Sequence, residues 1–382
     1  MSMLGTVGLA RRQAVTAFAL IFTALLVYVF VGTSDRRRHQ LAQTDEGAPG
    51  AASKLSTTNQ VSDLCSRHGF RPFTRQGGNS YRRVYDLFLL SHELDWLEIR
   101  LNTLAPYVDY FVIVESPWTF TGLQKPLHLQ ENWANFTSFH HKIIHQVVDD
   151  SGLNLGSRTW DHEDYFRNSL FHSTFPDLLY SEREAQRGDV LIVSDVDEIP
   201  KPEALNVLRY CDFPERLTLR SDFYYYSFQW MHVGEQWPHP QATVFRGLHN
   251  TISPVHLRNG EGGPTSWIPF LSAMRRWWQK TDMWEAAWHC SSCFASMEEM
   301  RAKMAGFSHT PWNTAENRDE GTMMHRVRNG LDLFGRTGED YRRVENNLDV
   351  PPYILQHKDE FKYLLDRDGE DAGFRDYQRS IG

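Results

Sequence analysis

The stretch GDVLIVSDVDEIPKP, Gly188–Pro202, decides how the chain is read. Four apolar residues, Val190, Leu191, Ile192 and Val193, run straight into Ser194-Asp195-Val196-Asp197-Glu198, and Pro200 and Pro202 close the segment. A short apolar run bounded by turn residues is the pattern of a buried strand. The acids then fall just past its carboxyl end, where open α/β sheets bind their ligands. With Val196 alone between them, Asp195 and Asp197 can converge on one hard cation from a strand end or tight turn. Mg²⁺ or Mn²⁺ held by one or two carboxylates plus substrate phosphates is the chemistry such a pair supports. A plain acidic turn would show the same tripeptide; the apolar strand before it and the prolines after it favour a site.

Upstream, Val84–Leu90 reads as a strand. Leu94, Leu97, Leu101 and Leu104 give His92–Val108 helical spacing, and Pro106 should disturb its last turn. Tyr110–Glu115 is a second strand ending in an acid. Strand, helix and strand in so short a stretch form a βαβ unit, so the two strands should be parallel. Lys142–Val148 is a third strand. Asp161–Arg187 reads as a long helix broken at Pro176, with Glu163 and Arg167 on one face. This alternation predicts an α/β fold with a mostly parallel sheet flanked by helices. Downstream, a short helix carries Ala204–Arg209, and Leu217–Arg220 and Phe223–Trp230 read as aromatic strands. The rest up to Gly306 reads as turn-rich, apart from a helix at Met297–Gly306. Asn313–Asn347 reads as a polar, mobile excursion and Lys358–Arg367 as a helix.

Ala14–Val31 is 18 residues without a charge. At about 1.5 Å per residue it reaches roughly 27 Å, enough for a bilayer core. Tyr28 and Phe30 at its exit, with no small-residue cleavage pattern, favour an uncleaved anchor over a signal peptide. The expected order is a cytoplasmic tail (1–13), a transmembrane anchor (14–31), a flexible stem (32–80) and one folded lumenal domain (81–382). Asn135-Phe136-Thr137, a glycosylation acceptor, supports the lumenal side. Four cysteines, Cys65, Cys211, Cys290 and Cys293, allow three pairings, and disulfides suit that compartment. A net charge of −8 and no long basic patch past the first 40 residues exclude nucleic acid as a partner class.

Glu115, Asp149 and Asp150, the Glu163/Arg167/Asn168 helix face and Asp195/Asp197 all fall at strand ends or on the helix feeding them. A cation on Asp195 and Asp197 would neutralise a diphosphate leaving group. Arg167 and Lys125 could add charge over the phosphates. His289 and His309 are candidate further ligands; His309 is preferred because Lys303 lies six residues before it.

The segments VYDLFLLSHELDWLEIRLNTLAPYVDYFVIVES (84–116), TFTG (119–122), KPL (125–127), GDVLIVSDVDEIPKPEAL (188–205), WHCSSCF (288–294) and SHT (308–310) resemble, in that order, family 17 glycosyltransferases. The resemblance covers about residues 82–310. It implies a GT-A type fold, a UDP-GlcNAc donor, a mannose-containing N-glycan acceptor and inversion at the anomeric carbon. It further implies a divalent cation, Mn²⁺ by preference, and a single-pass type II Golgi membrane protein. On this basis Asp197 holds the metal, and Asp195 serves both the metal and the donor ribose. Glu115, Lys125, Arg167 and Asn168 join Asp195 on the donor UDP-sugar. An inverting transfer also needs a general base near the acceptor hydroxyl. Asp222, Asp282 and Glu285 are candidates, the last lying between Trp284 and Trp288. Two other classes stay open from the residues alone. A metal-dependent phosphohydrolase would use the same acids, although that class favours a denser His/Asp cluster. A non-catalytic glycan-binding membrane protein would use the aromatics.

Overall fold

The structure is a computed structural model, and it describes residues 58–75, 81–151, 159–262 and 279–377. They fall in one compact unit, Ala51–Gly382. The expected anchor, 14–31, lies outside the described residues. Among the described residues no helix is long and apolar enough to cross a membrane. The first element is a helix, Thr58–Arg67 (α1), whose Cys65 is buried and disulfide-bonded to Cys211. Folded structure therefore reaches back to Thr58, ahead of the start at residue 81 that composition suggests.

Val84–Leu89 (β1) leads into Leu94–Leu104 (α2) and Tyr110–Glu115 (β2). The helix stops before Pro106, which has no N–H to continue it. Ile143–Val147 (β3), Thr159–His172 (α3) and Val190–Asp195 (β4) follow. The long helix expected over Asp161–Arg187 ends at His172; a separate turn, Thr174–Asp177, takes in Pro176. The four strands run parallel in the order β4-β1-β2-β3. The Val190–Val193 run is buried on both faces. Val190 and Ile192 enter one core cluster and Leu191 and Val193 the other. Strand alternation sends successive side chains to opposite faces. A strand covered on both faces needs a continuous apolar run. Each of these side chains contributes about 1.5–3 kcal/mol by burial.

The second half differs from the expectation. Glu198–Pro200 (β5) is followed by Pro202–Tyr210 (α4), Arg216–Tyr225 (β6), Ser227–His232 (β7) and Gln241–Val244 (β8). Pro254–Arg258 (α5), Lys280–Ser291 (β9), Met297–Gly306 (α6), Glu320–Asn329 (α7) and Tyr341–Arg343 (β10) complete the elements used below. β8 joins β4 to β6 by antiparallel pairing on both sides, and β7 and β10 extend that edge. β9 runs parallel to β6 and antiparallel to β5. The α/β class holds, but the ten-stranded sheet is mixed: the N-terminal block is parallel, and in the second half the parallel β6–β9 pair lies among antiparallel neighbours.

The segment expected to be turn-rich contains β9, a 12-residue strand. Asn313–Asn347 is not a loose excursion. It carries α7, whose Met323 and Val327 are buried, and the edge strand β10. Lys358–Arg367 holds only the short turn Lys362–Leu364 in place of a helix. The cysteines resolve as Cys65–Cys211 and Cys290–Cys293.

Candidate functional site

Register places the acids. Asp195, the last residue of β4, lies level with Leu89 at the end of β1, and Glu115 ends β2 on the same edge. The turn after Asp195 is held from below by Arg100 on α2, which is fully buried. Its guanidinium makes two bonds to Asp86, at 2.6 and 2.7 Å. It also donates to Ser194 Oγ and to the main-chain carbonyls of Asp195, Val196 and Glu198. A buried carbonyl left without a donor costs about 1–3 kcal/mol.

Above the turn sits a charged network. Asp195 Oδ1 accepts from Arg167 Nη1 at 2.9 Å, and Oδ2 from Arg258 Nη2 at 2.6 Å. Arg167 also pairs with Glu163, four residues before it on α3, at 2.8 Å. Arg258 reaches Glu198 with two nitrogens, each at 2.8 Å. Glu198 further accepts from Trp237 Nε1 and from the main-chain N–H of Asp195. Burial alone would push the Asp195 and Glu198 carboxyls up. Arg167 and Arg258 outweigh it at Asp195, as Arg258 does at Glu198, so both lie below the usual carboxylate range.

Asp197 is buried and differently placed. Its Oδ2 accepts from Lys303 Nζ on α6 at 3.2 Å, and its Oδ1 lies 3.9 Å from His289 Nε2. Burial opposes the charge on Lys303, but Asp197 and Glu93 raise its pKa above the ordinary lysine value. His289 is buried, and its Nδ1 has no hydrogen-bond partner. Four carboxylates, Asp195, Asp197, Glu198 and Glu163, thus face three permanent cations, Arg167, Arg258 and Lys303.

The other expected residues fall variously. Asn168 Oδ1 accepts from the Val255 N–H at 3.2 Å, tying α3 to the short helix that carries Arg258. Glu115 is buried and accepts from the Leu129 and Gln130 N–H groups and from His145 Nε2. Lys125 Nζ lies 3.4 Å from the Ser91 carbonyl; burial lowers its pKa, against the pull of Glu115 and Glu93. His309 is exposed and edge-on to Trp160, next to Ser308, whose hydroxyl donates to Glu163. The structure brings Asp195 and Arg167 together, and Asp197 with His289 and Lys303; no contact links His309 to either aspartate.

The candidate bases lie elsewhere. Asp282 pairs with Arg220 at 2.9 Å, and Glu285 is exposed at a bulge in β9. At about 3.3 Å per residue, Asp282 is on the order of 20 Å along β9 from His289. Asp222 accepts from Lys201 and Gln236. Its neighbour Phe223 faces His289, and strand alternation turns Asp222 to the other face.

Arg258 and Trp237 carry no sequence signal, since each comes from a short, polar or turn-rich stretch. His289 reaches the acidic turn through the β5–β9 pairing, in which it sits opposite Glu198.

The model of glycosyltransferase family 17 matches residues 12–261 and 274–370. The β-1,4-mannosyl-glycoprotein 4-β-N-acetylglucosaminyltransferases of Rattus norvegicus and Homo sapiens are each 26% identical to the chain over 306 residues, covering 75% of this chain and 55% of theirs. The chain spans about half the length of the curated relatives it matches. Among solved structures, the Pyrobaculum calidifontis mannosyltransferase in complex with GDP-Man and Mn²⁺ is 14% identical, covering 55% of this chain and 46% of that one. Its TM-score is 0.25. With the family model matching most of its length, the chain belongs to glycosyltransferase family 17.

Proposed function

We propose that the chain is a metal-dependent inverting glycosyltransferase of GT-A type, moving GlcNAc from UDP-GlcNAc to a mannose of an N-glycan. The observation that carries this is Asp197, buried just past the carboxyl end of β4, with His289 Nε2 3.9 Å from its Oδ1 and Lys303 Nζ on its Oδ2. Family membership supports the reaction class, and the names of the relatives support GlcNAc as the sugar and a mannosyl-glycoprotein as the acceptor.

Among the described residues no group of three His, Cys, Asp or Glu forms a ready cage for a metal. The donor set still fits Mn²⁺ or Mg²⁺, which take one or two protein ligands and complete their shell with phosphate oxygens and water. Asp197 and His289 would hold the ion, with Asp195 beside them. When bound, it supplies Lewis-acid neutralisation of the diphosphate.

The chain's own residues do the rest. Arg100 fixes the backbone of the acidic turn. Arg258 and Arg167 keep Asp195 ionised and oriented, and Asn168 holds the helix carrying Arg258. Lys303 stands beside Asp197, where an ammonium can follow the charge that develops on the departing phosphate. The same proposal includes a Golgi location with 14–31 as a type II anchor and the domain in the lumen; the sequon and the disulfides support it.

The test is incubation of the chain with a panel of nucleotide sugars, Mn²⁺ and a mannose-terminated N-glycan, with products read by mass spectrometry. A GlcNAc-extended glycan, formed only from UDP-GlcNAc, is expected. Phosphate-ester hydrolysis without transfer would replace this function with the hydrolase, and glycan binding without turnover would replace it with a lectin-like role.

A further inference from the structure

The sheet face beside His289 carries a group left unused above. His289 stacks on Phe223 with ring centroids 4.8 Å apart. Phe223 meets His232 at 5.3 Å and Trp237 at 5.6 Å, and Tyr341 lies 5.6 Å from His232. The pairing of β7 with β10 sets Tyr341 opposite His232. Phe223, His232, Trp237 and Tyr341 are all partly exposed. Half-exposed rings with apolar faces and polar edges suit an amphipathic ligand, and a sugar, with its C–H face and hydroxyl rim, is one.

His232 is held for a purpose beyond packing. Its Nε2 lies 3.2 Å from Glu339 Oε2, and Glu339 is about a third exposed, at 34%. Gly234 leaves the ring its space: a Cβ there would come within 2.7 Å of His232 Cε1. Among the described residues no hydrogen bond reaches Nδ1. A carboxylate behind Nε2 favours the tautomer with its proton on Nε2, leaving Nδ1 a lone-pair acceptor. The titratable groups around the ring are Glu339 and Tyr341 on the β10 side and, across Phe223, His289. Burial and Asp332 push the Tyr341 phenol up, so it stays neutral.

We propose that His232 is the general base of the transfer, with Glu339 as its positioning residue and Phe223, Trp237 and Tyr341 as the platform for a neutral acceptor sugar. This rests on the transferase function above. The acceptor oxygen forms its bond to the anomeric carbon as the bond from that carbon to the diphosphate oxygen breaks. The electron pair leaves with UDP, and the hydroxyl proton passes to His232 Nδ1 and then to water. The contacts through Phe223 cap the His232–His289 ring separation at the sum of the two centroid distances. Both imidazoles pack on the same phenyl ring, which sets the proposed base and the proposed metal ligand on one face of the sheet.

The experiment compares wild type, His232→Gln and Glu339→Gln as full chains with Mn²⁺, UDP-GlcNAc and a mannose-terminated N-glycan. UDP affinity and Tm are measured alongside. His232→Gln should lose roughly 10²–10⁴-fold in kcat, with UDP affinity and Tm close to wild type. Glu339→Gln should lower kcat with the KM for UDP-GlcNAc unchanged, and Glu339→Asp should recover part of the loss; this arm stands if His232→Gln fails to fold. Undiminished transfer by His232→Gln, or undiminished kcat in Glu339→Gln, overturns the assignment alone. No transfer by the wild type from any donor overturns the function and this assignment together.

Discussion

Lys303 Nζ lies 3.2 Å from Asp197 Oδ2, so an ammonium already sits on the carboxylate assigned to the metal. The ammonium and a divalent cation need not exclude each other, because Asp197 Oδ1 still faces His289. Lys303 would then serve the phosphates from the α6 side. Lys303→Met should raise the KM for the nucleotide sugar about tenfold, the worth of one charge-assisted hydrogen bond at the low end of about 1.5–3 kcal/mol. Steady-state kinetics at saturating Mn²⁺ check this, and an unchanged KM would place Lys303 outside the donor site.

Arg100 and Asp86 form a fully buried pair beneath the acidic turn. Removing one partner strands the other without solvent, which costs about 3–5 kcal/mol. Asp86→Ala should lower the urea midpoint accordingly. A loss under about 1 kcal/mol would mean that the turn does not depend on this pair.

The two disulfides should differ in weight. Cys65–Cys211 closes a loop of 146 residues and Cys290–Cys293 one of three. Constraint of the unfolded chain grows with loop length, and losing a native disulfide costs about 2–5 kcal/mol. The Cys65→Ser/Cys211→Ser variant should sit in that range by denaturant titration, and Cys290→Ser/Cys293→Ser well below it.

His239 gives a pH signature. Burial and the neighbouring Arg258 push its imidazole down to about 3. The unfolded chain, with an ordinary pKa of about 6.5, therefore binds this proton first as pH falls. Stability linked to His239 is complete above about pH 6.5 and declines toward pH 3. His239→Gln should flatten Tm against pH across that window; parallel curves would show that His239 protonates freely in the folded state.

The parallel block was legible because β2 and β4 are continuous apolar runs and α2 repeats leucine at helical spacing. Asp195 and Arg167 were legible because each lies on such an element, and Asp197 because it falls in the turn directly after β4. His289 is legible as a candidate ligand, but its neighbours are not. β9 has a bulge between Met283 and Ala287, which breaks the alternation a strand would otherwise show. Its partners β5 and β6 are remote in sequence, so nothing local announces the pairing. Arg258 rides on a five-residue helix, too short for a periodic signal. α7 did carry one: Met323 and Val327 are four apart and both buried, inside a segment whose polarity hid them.

The most direct test is Mn²⁺-dependent UDP release from UDP-GlcNAc in the presence of a mannose-terminated N-glycan, measured for wild type and Asp197→Ala side by side. Wild type should release UDP in step with glycan extension and stop when the metal is chelated, while Asp197→Ala, still folded by circular dichroism, should release none. Full release by Asp197→Ala, or by wild type after chelation, would contradict a metal-assisted transfer centred on the turn after β4.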